Sequence, residues 1–145
     1  KTQHALKLMS CIGSSCSEST LLLFLEEEMV TYIKEKKVVN RARRNDLFLC
    51  LCVAVDEGLI RKEGTNYEFA HDQVQHAAYS LITEDEKYSW HLQIGCSIWN
   101  NVPQKDEDKV IFIAVDQMNY GMASIESEHQ KMLLAKLNLR AGGKA

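Results

Sequence analysis

Proline is almost absent. The single one in 145 residues is Pro103, so little in the composition stops helices elsewhere in the chain. Charge of one sign is lacking too: a net charge of −3 supplies no basic field for nucleic acid or an anionic lipid surface. No apolar run approaches the roughly 20 residues of a membrane span, and no signal-peptide pattern opens the chain. Membrane attachment is therefore not expected. No Gly-rich phosphate loop, nucleophile elbow or kinase signature occurs. The chain is expected to be no enzyme in its own right and to hold no cofactor.

The five cysteines are Cys11, Cys16, Cys50, Cys52 and Cys96. An odd number on helix-like segments suits reduced thiols, packed as small hydrophobes in a cytoplasmic protein. Cys11 and Cys16 have no second matching pair, so no structural zinc site is expected.

What is present is an ordinary globular composition, 46% hydrophobic and 26% charged, long enough for one good core or two small ones. The chain opens on Lys1 and stops at Gly-Gly-Lys-Ala145 inside a helical pattern, which reads as part of a longer protein.

Ala5, Leu6, Leu8 and Met9 lie at near-helical spacing over residues 2–11, with Gly13 as the stop. Ser14, Ser15 and Ser17 read as a turn, and Ser17 or Ser19 can cap a second helix. Leu22, Leu25, Met29, Tyr32 and Ile33 would form its apolar stripe. The basic segment Lys34–Arg44 follows, its second half read as a loop. A third helix is expected over Asp46–Glu57, with Leu47, Leu51, Ala54 and Val55 inward and Gly58 as its end. Two short alternating runs around Gly64 and Asn66 signal a β-hairpin.

Phe69-Ala-His-Asp-Gln-Val-Gln-His-Ala-Ala-Tyr79 then turns from strand to helix. Asp72 reads as the N-cap with Gln75 completing a capping box, and Val74, Ala77, Ala78 and Leu81 as the core face. The order helix, helix, helix, hairpin, helix over residues 2–82 is that of a winged helix.

Beyond it, Thr83-Glu-Asp-Glu86 and Ser127-Glu-His-Gln130 are capping boxes for two further helices. Tyr88, His91, Leu92, Gly95, Ile98 and Trp99 form the stripe of the first. Pro103 to Asp108 is a turn, and Ile111, Val115, Met118 and Met122 give a helical face to the apolar run at 110–115. Leu133, Leu134, Leu137 and Ala141 follow on the last helix, with Gly121, Ala123 and Ala135 available for close packing.

Two readings of His71 stay open from the residues alone. It is a packed corner histidine, or it donates a hydrogen bond to a phosphate or carboxylate of a neighbouring domain, with Asp72 fixing its tautomer. His71, His76 and His91 do not converge as metal ligands. His91 is expected at the core edge, bonded by a backbone carbonyl. Lys34–Arg44 could meet DNA phosphates, but Asp46–Glu57 has acidic ends and offers no Arg, Lys, Asn or Gln to base edges. Nucleic acid is therefore not the expected partner.

Several of these segments together resemble the signal-transduction ATPases with numerous domains, in the branch of multi-sensor histidine kinases and kinase-linked predicted ATPases. They are Leu6-Lys7-Leu8-x-x-Cys11-Ile12-Gly13, Glu57-Gly58-Leu59-Ile60, Phe69-x-His71-Asp72-x-x-Gln75-x-Ala77-Ala78-Tyr79-Ser80-Leu81-Ile82 and His91-Leu92-x-Ile94-Gly95. Asp116-Gln117-Met118-Asn119-x-Gly121 and Leu137-Asn138-Leu139-x-Ala141-Gly142-x-Lys144-Ala145 complete the set.

The resemblance implies a mainly α chain in two parts. Residues 1–82 would be a winged-helix domain, and 83–145 the truncated start of a tetratricopeptide-like array of antiparallel helices. It implies a regulatory module, without catalysis of its own, packed against an AAA-type nucleotide-binding domain. The parent protein would bind ADP or ATP and could carry protein-kinase or histidine-kinase domains. In related switch ATPases a Met-His-Asp element contacts the β-phosphate of ADP. Ala70-His71-Asp72 looks like that element with Ala for Met, which makes His71 the implied phosphate contact and Asp72 its support. The alternative is a winged-helix module that binds DNA or protein by itself.

Overall fold

The computed structural model of the protein describes residues 2–23 and 41–144, with the backbone alone at 41–47. The chain is mainly helical with one small antiparallel sheet. It divides into two compact units, Lys1–Ile82 and Thr83–Ala145. Among the described residues no helix is long and apolar enough to cross a membrane.

In the first unit, α1 (Thr2–Ile12) buries Ala5, Leu6, Leu8 and Met9 and packs against α3 and α4, introduced below. The Gly13 amide closes its end on the Met9 carbonyl at 3.2 Å. Ser15–Ser17, expected as a turn, is instead a strand, β1. Ser-Cys-Ser has no apolar alternation to announce it; the edge of β3 recruits it, with Cys16 opposite Tyr67. Burial pushes the Cys16 thiol up to about 12, so it packs as an inert hydrophobe. The Ser17 hydroxyl accepts the Thr20 amide at 3.2 Å and caps α2 (residues 18–23). Leu21 is buried there, and Leu22 only half so. Leu25, Met29, Tyr32, Ile33 and residues 34–40 lie outside the described residues.

Helix α3 (Arg41–Asp56) begins at Arg41, so 41–44 is helical and not the expected loop. Arginine is a good helix former and no proline or glycine intervenes. Leu51 and Ala54 are fully buried, and Val55 is half-buried. The helix stops at Gly58, φ +72, whose amide bonds the Val55 carbonyl at 2.9 Å while the Leu59 amide bonds Ala54 at 2.9 Å. This is a Schellman closure, which a side chain at Gly58 would strain. β2 (Ile60–Glu63) and β3 (Asn66–Phe69) form the expected hairpin through Gly64-Thr65. The sheet order is β1-β3-β2. Ile60, Tyr67 and Phe69 face the core, and α4 (Asp72–Ser80) follows.

The second unit packs α5 (Glu84–Asn101), α6 (Glu107–Tyr120) and α7 (Glu128–Lys144). The run at 110–115 is helical as expected, with Ile111, Val115 and Met118 buried. Met122 is exposed, because α6 has ended and a 3₁₀ turn, Met122–Ser124, carries it away from the face. Leu134, Leu137 and Ala141 of α7 join this cluster. Ser127 caps α7 as expected, accepting the Gln130 amide at 3.1 Å. At α5 the Thr83 hydroxyl donates to the Glu86 carboxylate at 2.7 Å instead of taking a backbone amide. Arg140 spans to Glu107 and Asp108 of α6 at 2.6 and 3.0 Å and lies 5.4 Å from the Trp99 ring centre.

The tightest joint is between α5 and α6. A Cβ on Gly95 would stand 2.8 Å from the Met118 amide nitrogen and 2.9 Å from the Ala114 carbonyl oxygen. Gly121 meets α5, not the expected α7: a Cβ there would lie 2.5 Å from the Tyr88 carbonyl oxygen. Ala123 and Ala135 are exposed. Overpacking against fixed backbone costs about 1–3 kcal/mol, more than the helix-propensity gain of about 1 kcal/mol. Gly95→Ala should therefore lower the unfolding free energy in urea. Gly142→Ala, with open space around it, should raise it by up to about 1 kcal/mol.

Candidate functional site

The strand β3 delivers the chain to a corner at Ala70-His71-Asp72. Two bonds fix that corner from outside. The Ala70 amide donates to the Leu59 carbonyl at 3.0 Å, and Arg61 Nη2 donates to the Ala70 carbonyl at 2.9 Å. His71 is extended, φ −145 and ψ 146, and stands at the N-cap position of α4. Its carbonyl accepts the amides of Val74 at 3.0 Å and Gln75 at 3.4 Å. Its imidazole is exposed and bonds to no other described residue.

Asp72 is the first helical residue and not the cap, and no side chain caps α4. The expected Asp72–Gln75 capping box is absent, because the extended backbone that defines the cap belongs to His71. Asp72 still lies at the positive end of the helix, where a carboxylate is favoured. It makes no hydrogen bond to the His71 imidazole among the described residues, so it does not fix that tautomer. Arg61 lies on the first strand of the hairpin, where nothing in the sequence singles it out. Its place beside Ala70 depends on the Arg61↔Glu68 register, which composition does not reveal.

The corner thus brings together an uncommitted imidazole, a guanidinium bonded to the Ala70 carbonyl, and the first amides of a helix, which have no acceptor within it. Such a set suits an anion. The core face expected for α4 is only partly formed: Ala78 is buried and Val74 half-buried, while Ala77 and Leu81 are exposed. Α helix this short turns that face only partly into α1.

His76 is exposed, and His91 is 3% exposed in the second unit. No group of metal-ligating side chains occurs among the described residues. His91 is bonded by a side chain that the spacing did not announce: Nδ1 lies 2.7 Å from Gln117 Oε1. The Tyr120 ring lies 4.4 Å away. None of the five cysteines is in a disulfide; Cys11 and Cys16 are buried, Cys50 and Cys96 half-buried and Cys52 exposed. The expectation of uniform burial fails at Cys52, whose helix face also carries exposed Leu49 and Val53.

No family model matches the chain, and no solved structure matches it. It is similar to the hybrid signal transduction histidine kinase G of Dictyostelium discoideum, 33% identical over an alignment of 94 residues. That alignment covers 54% of this chain and 3% of the relative. The chain therefore corresponds to a small part of that protein's length.

Burial holds the His91 pKa below the ordinary 6.5, against the upward pull of the Gln117 hydrogen bond, and Lys87 adds to the lowering. The folded state thus favours neutral His91, and the unfolded chain takes up the proton first as pH falls. Stability should be constant above about pH 7.5 and fall as pH drops through 6.5, levelling off below the depressed folded value. Asp106, held low by Lys109, and Asp108, held low by Lys144 and Arg140, titrate beneath that window. Urea denaturation at pH 7.5 and 5.5 should show this loss, and His91→Leu should abolish most of it.

Proposed function

We propose that the chain is a non-catalytic regulatory module of a multidomain signalling ATPase or kinase. Residues 1–82 form a winged-helix domain that packs against a neighbouring nucleotide-binding domain, and 83–145 begin a tetratricopeptide-like array that meets the rest of the same protein. His71 contacts a phosphate of ADP bound in the neighbour, and loss of that contact on nucleotide exchange shifts the domain equilibrium.

The observation that carries this reading is the exposed, unbonded imidazole at a corner held by Arg61 and Leu59. A winged-helix assignment is supported by the order α1, β1, α2, α3, β2, β3 and by the sheet order β1-β3-β2. A place in signalling is supported by the similarity to a hybrid signal transduction histidine kinase. The antiparallel ion pairs between the start of α6 and the end of α7 support a helical array. The step from fold to role is analogy. The Asp72 carboxylate would repel a phosphate placed at the helix start, so the contact falls to His71, with Arg61 adding charge.

Removing a charge-assisted hydrogen bond costs about 1.5–3 kcal/mol, or roughly a 10- to 100-fold change in affinity. In the full-length parent, His71→Ala should speed ADP release by about that factor. Arg61→Ala should do so more weakly. Wild-type ADP retention by His71→Ala would remove the switch role.

A second reading has one observation in its favour. With α3 starting at Arg41, three arginines fall in the first turns of the helix that a winged helix inserts into DNA. Replacing Arg41, Arg43 and Arg44 with Gln should then weaken duplex binding and lower its salt slope by roughly one unit per lost phosphate contact. Absence of salt-dependent binding by the wild-type chain would exclude this role.

A further inference from the structure

The first unit leaves an open groove of about 320 Å³ between α1, the α3–β2 junction and α4. Its apolar wall is Leu6, Leu59, Val74, Ala77 and Leu81. Glu57 stands on its rim, with Thr2 and Gln3 opposite in the lining. Leu81 is 49% exposed. Val74, Ala77 and Leu81 are set up for burial by the periodicity of α4, yet Val74 is only half-buried and Ala77 and Leu81 are exposed.

The rim has a sign. Glu57, in the lining, follows directly on Asp56 at the C-terminal end of α3, whose last turn has no basic residue. The helix dipole is negative there, so two carboxylates are at the unfavourable end of the helix. Neither side chain has an ion-pair partner among the described residues. An incoming cation next to an apolar anchor offsets the Glu57 charge at the negative end of the helix.

We propose that this groove docks an amphipathic helix of a protein partner, with apolar side chains on Leu59, Val74 and Leu81 and a Lys or Arg on Glu57. Helix-in-groove recognition uses this division between apolar anchors and a flanking charge. The proposal stands without the phosphate reading of His71: the groove and the corner share the Leu59 segment, but no side chain serves both.

The 145-residue protein, labelled for amide NMR, would be titrated with a short amphipathic helix of Leu and Lys and with its Leu and Glu counterpart. The basic peptide should shift the amides of α1, Leu59 and α4 and bind at least about tenfold tighter than the acidic one. Glu57→Lys should remove that preference, and Leu81→Asp should weaken the basic peptide by about tenfold or more. Both positions are exposed, and unchanged melting curves would show the variants folded. Equal binding of the two peptides, or shifts away from the groove, would overturn the proposal. So would self-association abolished by Leu81→Asp, which would make a second copy the occupant. Saturation of the same amides by 1-hexanol while the peptide leaves them unmoved would assign a small apolar ligand instead.

Discussion

The first unit depends on β3 being paired along both edges. Asn66–Phe69 hydrogen-bonds β2 on one side and β1 on the other, so its own backbone is satisfied without help from solvent. That pairing fixes the pleat, and the pleat sends Tyr67 and Phe69 into the core. A slip of one residue would turn both outward. The same register sets Arg61 against Glu68 and brings the guanidinium to the Ala70 carbonyl. The Tyr67 hydroxyl donates to Glu18 at 3.4 Å, and Lys62 also reaches Glu18 at 3.4 Å, which ties the sheet to the start of α2. The corner at His71 is thus placed by backbone pairing several residues away, and its side chain takes no part in holding it.

The second unit solves a different problem. Its helices approach closely because Gly95 and Gly121 remove the Cβ atoms that would separate α5 from α6. Between those two contacts lie His91 and Gln117, both buried. At such proximity an unpaired polar atom would have no water to reach, and leaving one unsatisfied costs about 1–3 kcal/mol. The 2.7 Å bond between them meets that requirement, and no buried side-chain polar atom lacks a partner among the described residues. The pair also selects a helix register, since sliding α6 by a turn would separate the groups and bring a Cβ against each glycine.

Much of this was legible in the sequence wherever a local rule had a local cause. The caps at Ser17 and Ser127, the stop at Gly58 and the hairpin at Gly64-Thr65 each depend on residues a few positions apart. So does the helical reading of 110–115, where a continuous apolar run could equally be a strand until Met118 extends the face. What was missed has distant causes. β1 exists because β3 has a free edge. Gly121 faces α5 because the chain turns at Met122 before it can reach α7. His91 finds Gln117, 26 residues on, and spacing along one helix carries no trace of that. At His71 the sequence singled out the residue and gave the cap to its neighbour, because Asp is the better cap by type while backbone geometry decides by position.

That last difference bears on how α4 is used. A helix of nine residues is marginal alone, and this one has no side-chain cap and buries only Ala78 fully. Its stability comes from α1 and from the corner, not from its own stripe. Both of its free features, the imidazole at its start and the apolar residues along one side, would ordinarily be spent on holding a helix of this length in place. Asn or Ser at position 71 would cap better, and a larger residue at 77 would fill more of the groove. A sequence selected for stability of this unit alone has simple routes to both. Neither is taken, and this sets α4 apart from α1, whose apolar residues Ala5, Leu6, Leu8 and Met9 are all buried.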